Sequence, residues 1–218
     1  MRTLKTLLAT TVLATGASLA SAASVDFTGI APGLGGTLGP SVTVNSSDMS
    51  FSVTATVSGA IGNKAHVSGY ALDGFGVGTY KLFSDNYYAI QGGETLHLSF
   101  DQTVDVGTLK LRQWEGPDRG TVTVHTLTGS QTFNLAGDNC GLCTGQDVAL
   151  NVLGVTRIDV TGVYNGKILG IPATQFFVAG FSDVQVSEIP VPAAAWLFGS
   201  ALAGLGGIAR KRGQKTRK

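Results

Sequence analysis

Thr95-Leu96-His97-Leu98-Ser99-Phe100-Asp101 sets Leu96, Leu98 and Phe100 on one phase and Thr95, His97 and Ser99 on the other. Successive side chains of a strand point to opposite faces, so this period of two predicts a strand with one buried and one wet side. Two further stretches repeat the pattern. Ser50–Ser58 alternates Phe51, Val53, Ala55 and Val57 with Ser52, Thr54, Thr56 and Ser58, and Gly120–Leu127 sets Val122 and Val124 against Thr121, Thr123 and His125. More strands are expected at Val25–Ile30, Gly107–Gln113, Thr132–Leu135, Val148–Val152, Thr156–Thr161 and Phe176–Glu188.

Between them stand turn signals: Ala31-Pro32-Gly33, Leu38-Gly39-Pro40, Asp73-Gly74, Gln91-Gly92-Gly93, Glu115-Gly116-Pro117-Asp118 and Asn165-Gly166. Gly74-Phe75-Gly76-Val77-Gly78 opens no helix and reads as loop. Outside the termini no window sustains a helical period. Nine or more short strands with glycine-rich turns predict an all-β chain, a single β-sandwich or jelly-roll domain. The 31 glycines raise a repeat solenoid as an alternative, but no fixed period accompanies them.

The two ends differ from this body. Met1-Arg2-Thr3-Leu4-Lys5 is a short basic region and Thr6–Leu19 an apolar one. Ala20-Ser21-Ala22 then meets the small-residue rule for cleavage before Ala23, so residues 1–22 read as a secretory signal peptide rather than an uncleaved anchor. At the other end Ile189-Pro190-Val191-Pro192 leads into Ala193–Ala209, a segment without charge, and then into a basic stop of Arg210, Lys211 and Arg212 within the tail 210–218. At about 1.5 Å per residue, the segment 193–209 spans roughly 25 Å, enough to cross a bilayer with the help of Trp196 and a snorkelling Arg210. The competing reading, a buried core helix, fits poorly, because no polar stripe interrupts the segment. The basic tail places the C-terminus in the cytoplasm. Residues 23–188 then form the exported body.

The formal charge of +1 hides an asymmetry. Arg2, Lys5 and the six basic residues after Ala209 leave seven of the 15 basic residues in the body, which keeps all 14 acidic ones and carries −7. An acidic body without a basic stripe excludes nucleic acid as the expected partner.

The C-terminal pattern resembles the bacterial PEP-CTERM sorting signal, in the variant where Val-Pro-x-Pro-Ala precedes the helix. This chain has Ile189-Pro190-Val191-Pro192-Ala193 followed by Ala194-Ala195-Trp196-Leu197-Phe198-Gly199-Ser200; it differs by Ile189 in place of the first Val and lacks the central Glu of the Pro-Glu-Pro form. The resemblance covers about thirty residues. It implies export, transient anchoring in the inner membrane of a Gram-negative cell, and processing by an exosortase near the recognition positions Pro190, Val191, Pro192 and Ala193. It also implies a final place at the cell surface or in an exopolysaccharide matrix. In the body, the Gly93-Glu94 turn launching a strand that ends Phe100-Asp101, followed by Val104–Leu111, is similar to exported domains of such proteins, which are taken to be jelly rolls.

Candidate chemistry is sparse. His66, His97 and His125 have no metal-ligand spacing, and two of them fall on polar strand positions, where surface histidines are the simpler reading. No Gly-x-Ser-x-Gly elbow or phosphate-binding loop occurs. Cys140 and Cys143 form a Cys-x-x-Cys in an oxidising compartment with no helix after it, which favours a small loop-closing disulfide over a redox site. Asp73, Asp85 and Glu94 flank glycine-rich turns and could serve a structural Ca²⁺, although solvated surface carboxylates are the preferred reading; no cofactor is otherwise implied. Tyr80, Tyr87, Tyr88 and Trp114 are the aromatics available for stacking on sugars. Two function classes follow: a non-enzymatic surface or matrix protein that binds glycan or a neighbouring protein, which is preferred, and a secreted jelly-roll hydrolase, which would need convergent carboxylates or a triad.

Overall fold

A computed structural model of the protein describes residues 22–30, 36–59, 66–70, 72–78, 89–114, 118–137, 145–164, 167–168, 171–172 and 174–187. Among these residues all regular structure is β. The strands are β1 (Ala23–Asp26), β2 (Gly36–Gly39), β3 (Ser41–Asn45), β4 (Ser52–Ser58), β5 (His66–Tyr70), β6 (Gly74–Gly78), β7 (Ile90–Gln91), β8 (Thr95–Arg112), β9 (Arg119–Thr126), β10 (Gly129–Ala136), β11 (Gly145–Gly162), β12 (Lys167–Ile168), β13 (Ile171–Pro172) and β14 (Gln175–Val186). Twelve of them join one large antiparallel sheet, and β12 and β13 pair separately. The chain divides by proximity into a unit ending at Val186 and one beginning at Ser187.

The sheet is organised on β8 and β11, 18 residues each, which pair from Gly145–Arg112 to Thr161–Thr95. Along the other edge of β8 two partners follow one another. Its first half, Thr95–Phe100, holds β4, and β4 holds β3; its second half, Val104–Arg112, holds β14. The hand-over falls at Asp101-Gln102. There Asp101 Oδ1 accepts the Ser52 N–H at 2.8 Å, and Gln102 Nε2 donates to the Ser50 carbonyl at 2.6 Å, so side chains replace ladder bonds where the partner changes. On β11 the second half takes β9, which takes β10.

Bulges between Ala149 and Arg157 bend β11 at the same level. Asn151 at φ 52° and Gly154 at φ 69° make them, and the Gly154 N–H is held by Asp105 Oδ1 at 2.9 Å. On the far edge of β14 stand β1 and β6, and β6 continues to β5 and β2.

The expected alternation is what builds the core. Cross-strand registers align Val42, Ala55, Leu98, Ile158 and Val124 in one apolar row, and Val57, Leu96, Val160, Val122 and Phe133 in the next. A chain of rings ties the β4 side to the β14 side: Phe51 to Phe100 at 6.0 Å, Phe100 to Phe181 at 5.6 Å, Phe181 to Phe27 at 5.9 Å, and Phe27 stacked on Phe75 at 4.5 Å. These rings are buried in one continuous cluster, whose removal from water supplies the main drive to fold.

Several elements depart from the sequence expectation. The pairs Thr95–Asp101 and Gly107–Gln113, and Val148–Val152 and Thr156–Thr161, are each one long strand, β8 and β11. Gly74–Gly78, expected as loop, is the fully buried strand β6. Glycine hides it, because the neighbouring chain occupies the side-chain space. A Cβ on Gly74, at φ 105°, would run into the Val178 carbonyl, and one on Gly78 into the His66 ring. β2, β3 and β5 were not anticipated either; β2 and β5 carry glycine in the pattern, and β3 follows directly on a Gly-Pro turn.

Gly180 lies in β14 at φ 148°, and its missing Cβ is where β1 passes, against the Val25 carbonyl. Gly180→Ala is expected to cost about 2 kcal/mol in urea unfolding by forcing β1 from β14. Gly29→Ala, at φ 74° but facing open space, is expected to cost only about 1 kcal/mol.

Candidate functional site

The side of the sheet opposite the apolar rows is polar over three successive rows where β3, β4, β8, β11, β9 and β10 lie side by side. Registers align Ser41, Thr56, His97, Asp159, Thr123 and Thr132 in one row. Thr43, Thr54, Ser99, Arg157, His125 and Ser130 make the second, and Ser58, Thr95, Thr161, Thr121 and Asn134 the third. Their order follows from alternation alone: each is the neighbour in sequence of a core residue. Hydroxyl pairs join neighbours within each row across strands, Thr43 to Thr54 at 2.9 Å, Thr95 to Thr161 at 2.9 Å and Thr123 to Thr132 at 3.1 Å.

Asp159 is the hub of this face. Its Oδ1 lies 2.7 Å from His97 Nδ1, and its Oδ2 lies 2.8 Å from His125 Nε2 and 3.0 Å from Arg157 Nη2. An ionised carboxylate only accepts, so both imidazole nitrogens donate to it. The 3.1 Å approach of Arg157 Nη2 to His125 Nε2 is therefore two donors converging on one oxygen and not a bond between them. With the His97 proton on Nδ1, Nε2 of the neutral ring is an acceptor, and the Ser58 hydroxyl donates to it at 2.7 Å.

Asp159 is 14 % exposed against 45 % for Arg157, so the anion is shielded while its partners meet solvent. Burial alone raises the Asp159 pKa, but hydrogen bonds from His97 and His125, with the charge of Arg157 and that of His97 when its ring is protonated, outweigh it and hold the carboxyl below its ordinary 3.8.

The two strand histidines that sequence placed on polar positions thus share one carboxylate. Asp159 itself was not singled out. Its only signal was the phase of Arg157, Asp159 and Thr161 against Ile158 and Val160 in the expected strand Thr156–Thr161. The third histidine, His66, stands elsewhere on β5, with Nε2 2.8 Å from Thr37 Oγ1. Among the described residues no group of three or more His, Cys, Asp or Glu is arranged to hold a metal ion. At Asp159 the nitrogens facing the carboxylate carry protons and cannot ligate.

The other expected sites fare variously. Asp73 accepts a hydrogen bond from Gln113 Nε2 at 2.6 Å; burial raises its pKa above 3.8, opposed by that bond and by the charge of Arg112. Glu94 is buried and turned back on the Gln91 N–H at 2.8 Å, closing the Gly92-Gly93 turn that launches β8. Glu94 is therefore not the solvated carboxylate expected, whereas Asp73 is half-buried, and Asp85 lies outside the described residues. Trp114, a candidate for sugar stacking, is fully buried edge-on against Phe176 at 4.8 Å.

Tyr80, Tyr87, Tyr88, Cys140 and Cys143 lie outside the described residues, as do Ala20, Pro190, Val191, Pro192, Ala193, Arg210, Lys211, Arg212 and the expected span 193–209. Of the expected signal-cleavage residues, Ala22 is exposed and Ala23 is already the buried first residue of β1. Among the described residues no helix is long and apolar enough to cross a membrane.

Because the folded Asp159 carboxyl sits below the unfolded value of about 3.8, its contribution to stability is present above that pH and is lost as pH falls through the folded value. Asp159→Asn is expected to cost about 1–3 kcal/mol at pH 7. It should also flatten the acid limb of stability below pH 3.8, measured by urea unfolding at pH 7 and at about pH 3.

No family model, curated protein or solved structure matches the chain.

Proposed function

We propose that this protein is an exported surface or extracellular-matrix protein whose body binds polysaccharide through the polar face of β3, β4, β8, β11, β9 and β10. The observation that carries the binding reading is the face itself: three uninterrupted cross-strand rows of hydroxyl, imidazole, carboxylate and guanidinium groups with no apolar member. Neighbours within a row stand about 4.8 Å apart and successive rows about 6.7 Å, a regular lattice of donors and acceptors for a polyhydroxylated chain. The body charge of −7 favours a neutral polysaccharide over a polyanion. The two flanks of the β8–β11 ribbon are read as layers of a single β-sandwich of jelly-roll type, supported by the ring chain that joins them. Binding to the polysaccharide is the non-enzymatic role of this reading and needs no catalysis. A secreted hydrolase is the alternative, and one observation favours it: Ser58, His97 and Asp159 stand in a hydrogen-bonded line.

The address rests on the termini. Residues 1–22 direct export through the inner membrane, the segment 193–209 anchors the chain there with Arg210, Lys211 and Arg212 as the cytoplasmic stop, and an exosortase acts near Pro190–Ala193. Release or transfer then leaves the body at the surface or in the matrix.

Two measurements test these parts separately. Mass spectrometry of the mature protein, from cells with and without the processing enzyme, is expected to find an N-terminus at Ala23 in both and a C-terminus near Ala193 only with it. A chain ending at Lys218 in both cells would remove the sorting reading. Affinity electrophoresis in xylan is expected to retard the body, with retardation at least halved by Arg157→Ala together with Thr123→Ala. Equal mobility of all forms would remove the binding reading.

A further inference from the structure

Ser58 is the exposed last residue of β4, and Gly59, at φ 79°, turns the chain out of the strand directly after it. Its hydroxyl lies 2.7 Å from His97 Nε2, and the opposite nitrogen, Nδ1, lies 2.7 Å from Asp159 Oδ1. Hydroxyl, imidazole and carboxylate come from three adjacent strands, β4, β8 and β11, in the order that lets an imidazole take a serine proton while a carboxylate stabilises the imidazolium. We propose that Ser58 is a catalytic nucleophile for ester cleavage, with His97 as its general base, and that its substrate is a short acyl ester carried on a polysaccharide hydroxyl.

Two features go beyond the line itself. First, the second oxygen of Asp159 is clamped by His125 and Arg157, so the carboxylate is held against rotation while Oδ1 orients His97. His125, Arg157 and Asp159 are thus positioning residues. Second, Thr95 is the cross-strand partner of Ser58, and its hydroxyl is paired with that of Thr161 at 2.9 Å. When Thr161 donates in that pair, the Thr95 hydroxyl keeps its own hydrogen, a donor beside Ser58 for the oxyanion of a tetrahedral intermediate.

The step balances without a cofactor. Ser58 Oγ attacks the ester carbonyl and its proton passes to His97 Nε2. The intermediate collapses by breaking the bond to the alkoxy oxygen, which takes the proton from Nε2 and leaves as the free sugar hydroxyl. Water, deprotonated by the same nitrogen, then attacks the acyl-serine, releasing the carboxylic acid and restoring the Ser58 hydroxyl. A nucleophile on an open sheet face suits a small acyl group presented on a chain lying across the hydroxyl rows. The choice of a polysaccharide carrier rests on the binding reading above, whereas the nucleophile does not.

The test uses the exported body with a fluorophosphonate probe, 4-nitrophenyl acetate and O-acetylated xylan. The expected result is a single phosphonyl adduct on Ser58 by peptide mass spectrometry. Acetate release is expected to fall at least about 100-fold in Ser58→Ala and in His97→Gln. Asp159→Asn should lower kcat with little change in KM, and His125→Gln should do so more weakly, a split that a merely structural role would not give. Circular dichroism of Ser58→Ala, a change at an exposed strand end, confirms that the variant is folded. Absence of a Ser58 adduct, with 4-nitrophenyl acetate cleaved no faster than by Ser58→Ala, overturns the proposal. Cleavage of 4-nitrophenyl acetate with no acetate released from xylan overturns the carrier alone. Loss of xylan retardation with Ser58 labelling intact counts against the binding reading and leaves the nucleophile standing.

Discussion

The antiparallel ladder between β8 and β11 is the constraint on which the rest depends. Each of its two outer edges must be satisfied, because a buried backbone N–H or carbonyl without a partner costs as much as a lost hydrogen bond. β8 is too long for one neighbour and takes β4 and then β14; β11 takes β9 along its second half. Every other paired strand of the large sheet reaches this ribbon through one of those three. The bulges of β11 and the side-chain bonds of Asp101 and Gln102 fall where the neighbours change, so irregularity is concentrated at the hand-over.

The same ladder assembles the polar face. Once β8 lies between β4 and β11, and β11 between β8 and β9, the register brings His97 beside Asp159 and sets Ser58 and His125 within reach on either side. The carboxylate is then shielded and held by three donors, which reverses the effect that burial alone would have on its proton. This charge system follows from strand order, and its members come from four separate stretches of chain.

Much of the fold was legible because alternation is local. Leu96, Leu98 and Phe100 point inward for the same reason that His97 does not, and no knowledge of the partner strand is needed to say so. Legibility failed where glycine replaced the side chains that carry the pattern. β6 has Phe75 and Val77 in an otherwise glycine strand, and the Val178 carbonyl and the His66 ring take the side-chain space at Gly74 and Gly78. A close approach between distant segments leaves no periodic mark. Trp114 failed for another reason: an indole suits a sugar platform and a core equally, and its place against Phe176 is decided by the pairing of β14 with β8 and β7.

The sequence by itself determined the all-β class, the phase of the alternating stretches in β4, β8 and β9, and the polar character of one side of those strands. All three follow from the two-residue period of a pleated backbone. It also carried the terminal patterns on which the export reading rests. Only the tertiary structure decided that Ser58, His97, Asp159, His125 and Arg157 meet. Hydrogen bonding between strands sets their order without reference to their separation along the chain, so residues far apart in sequence become neighbours at about 5 Å.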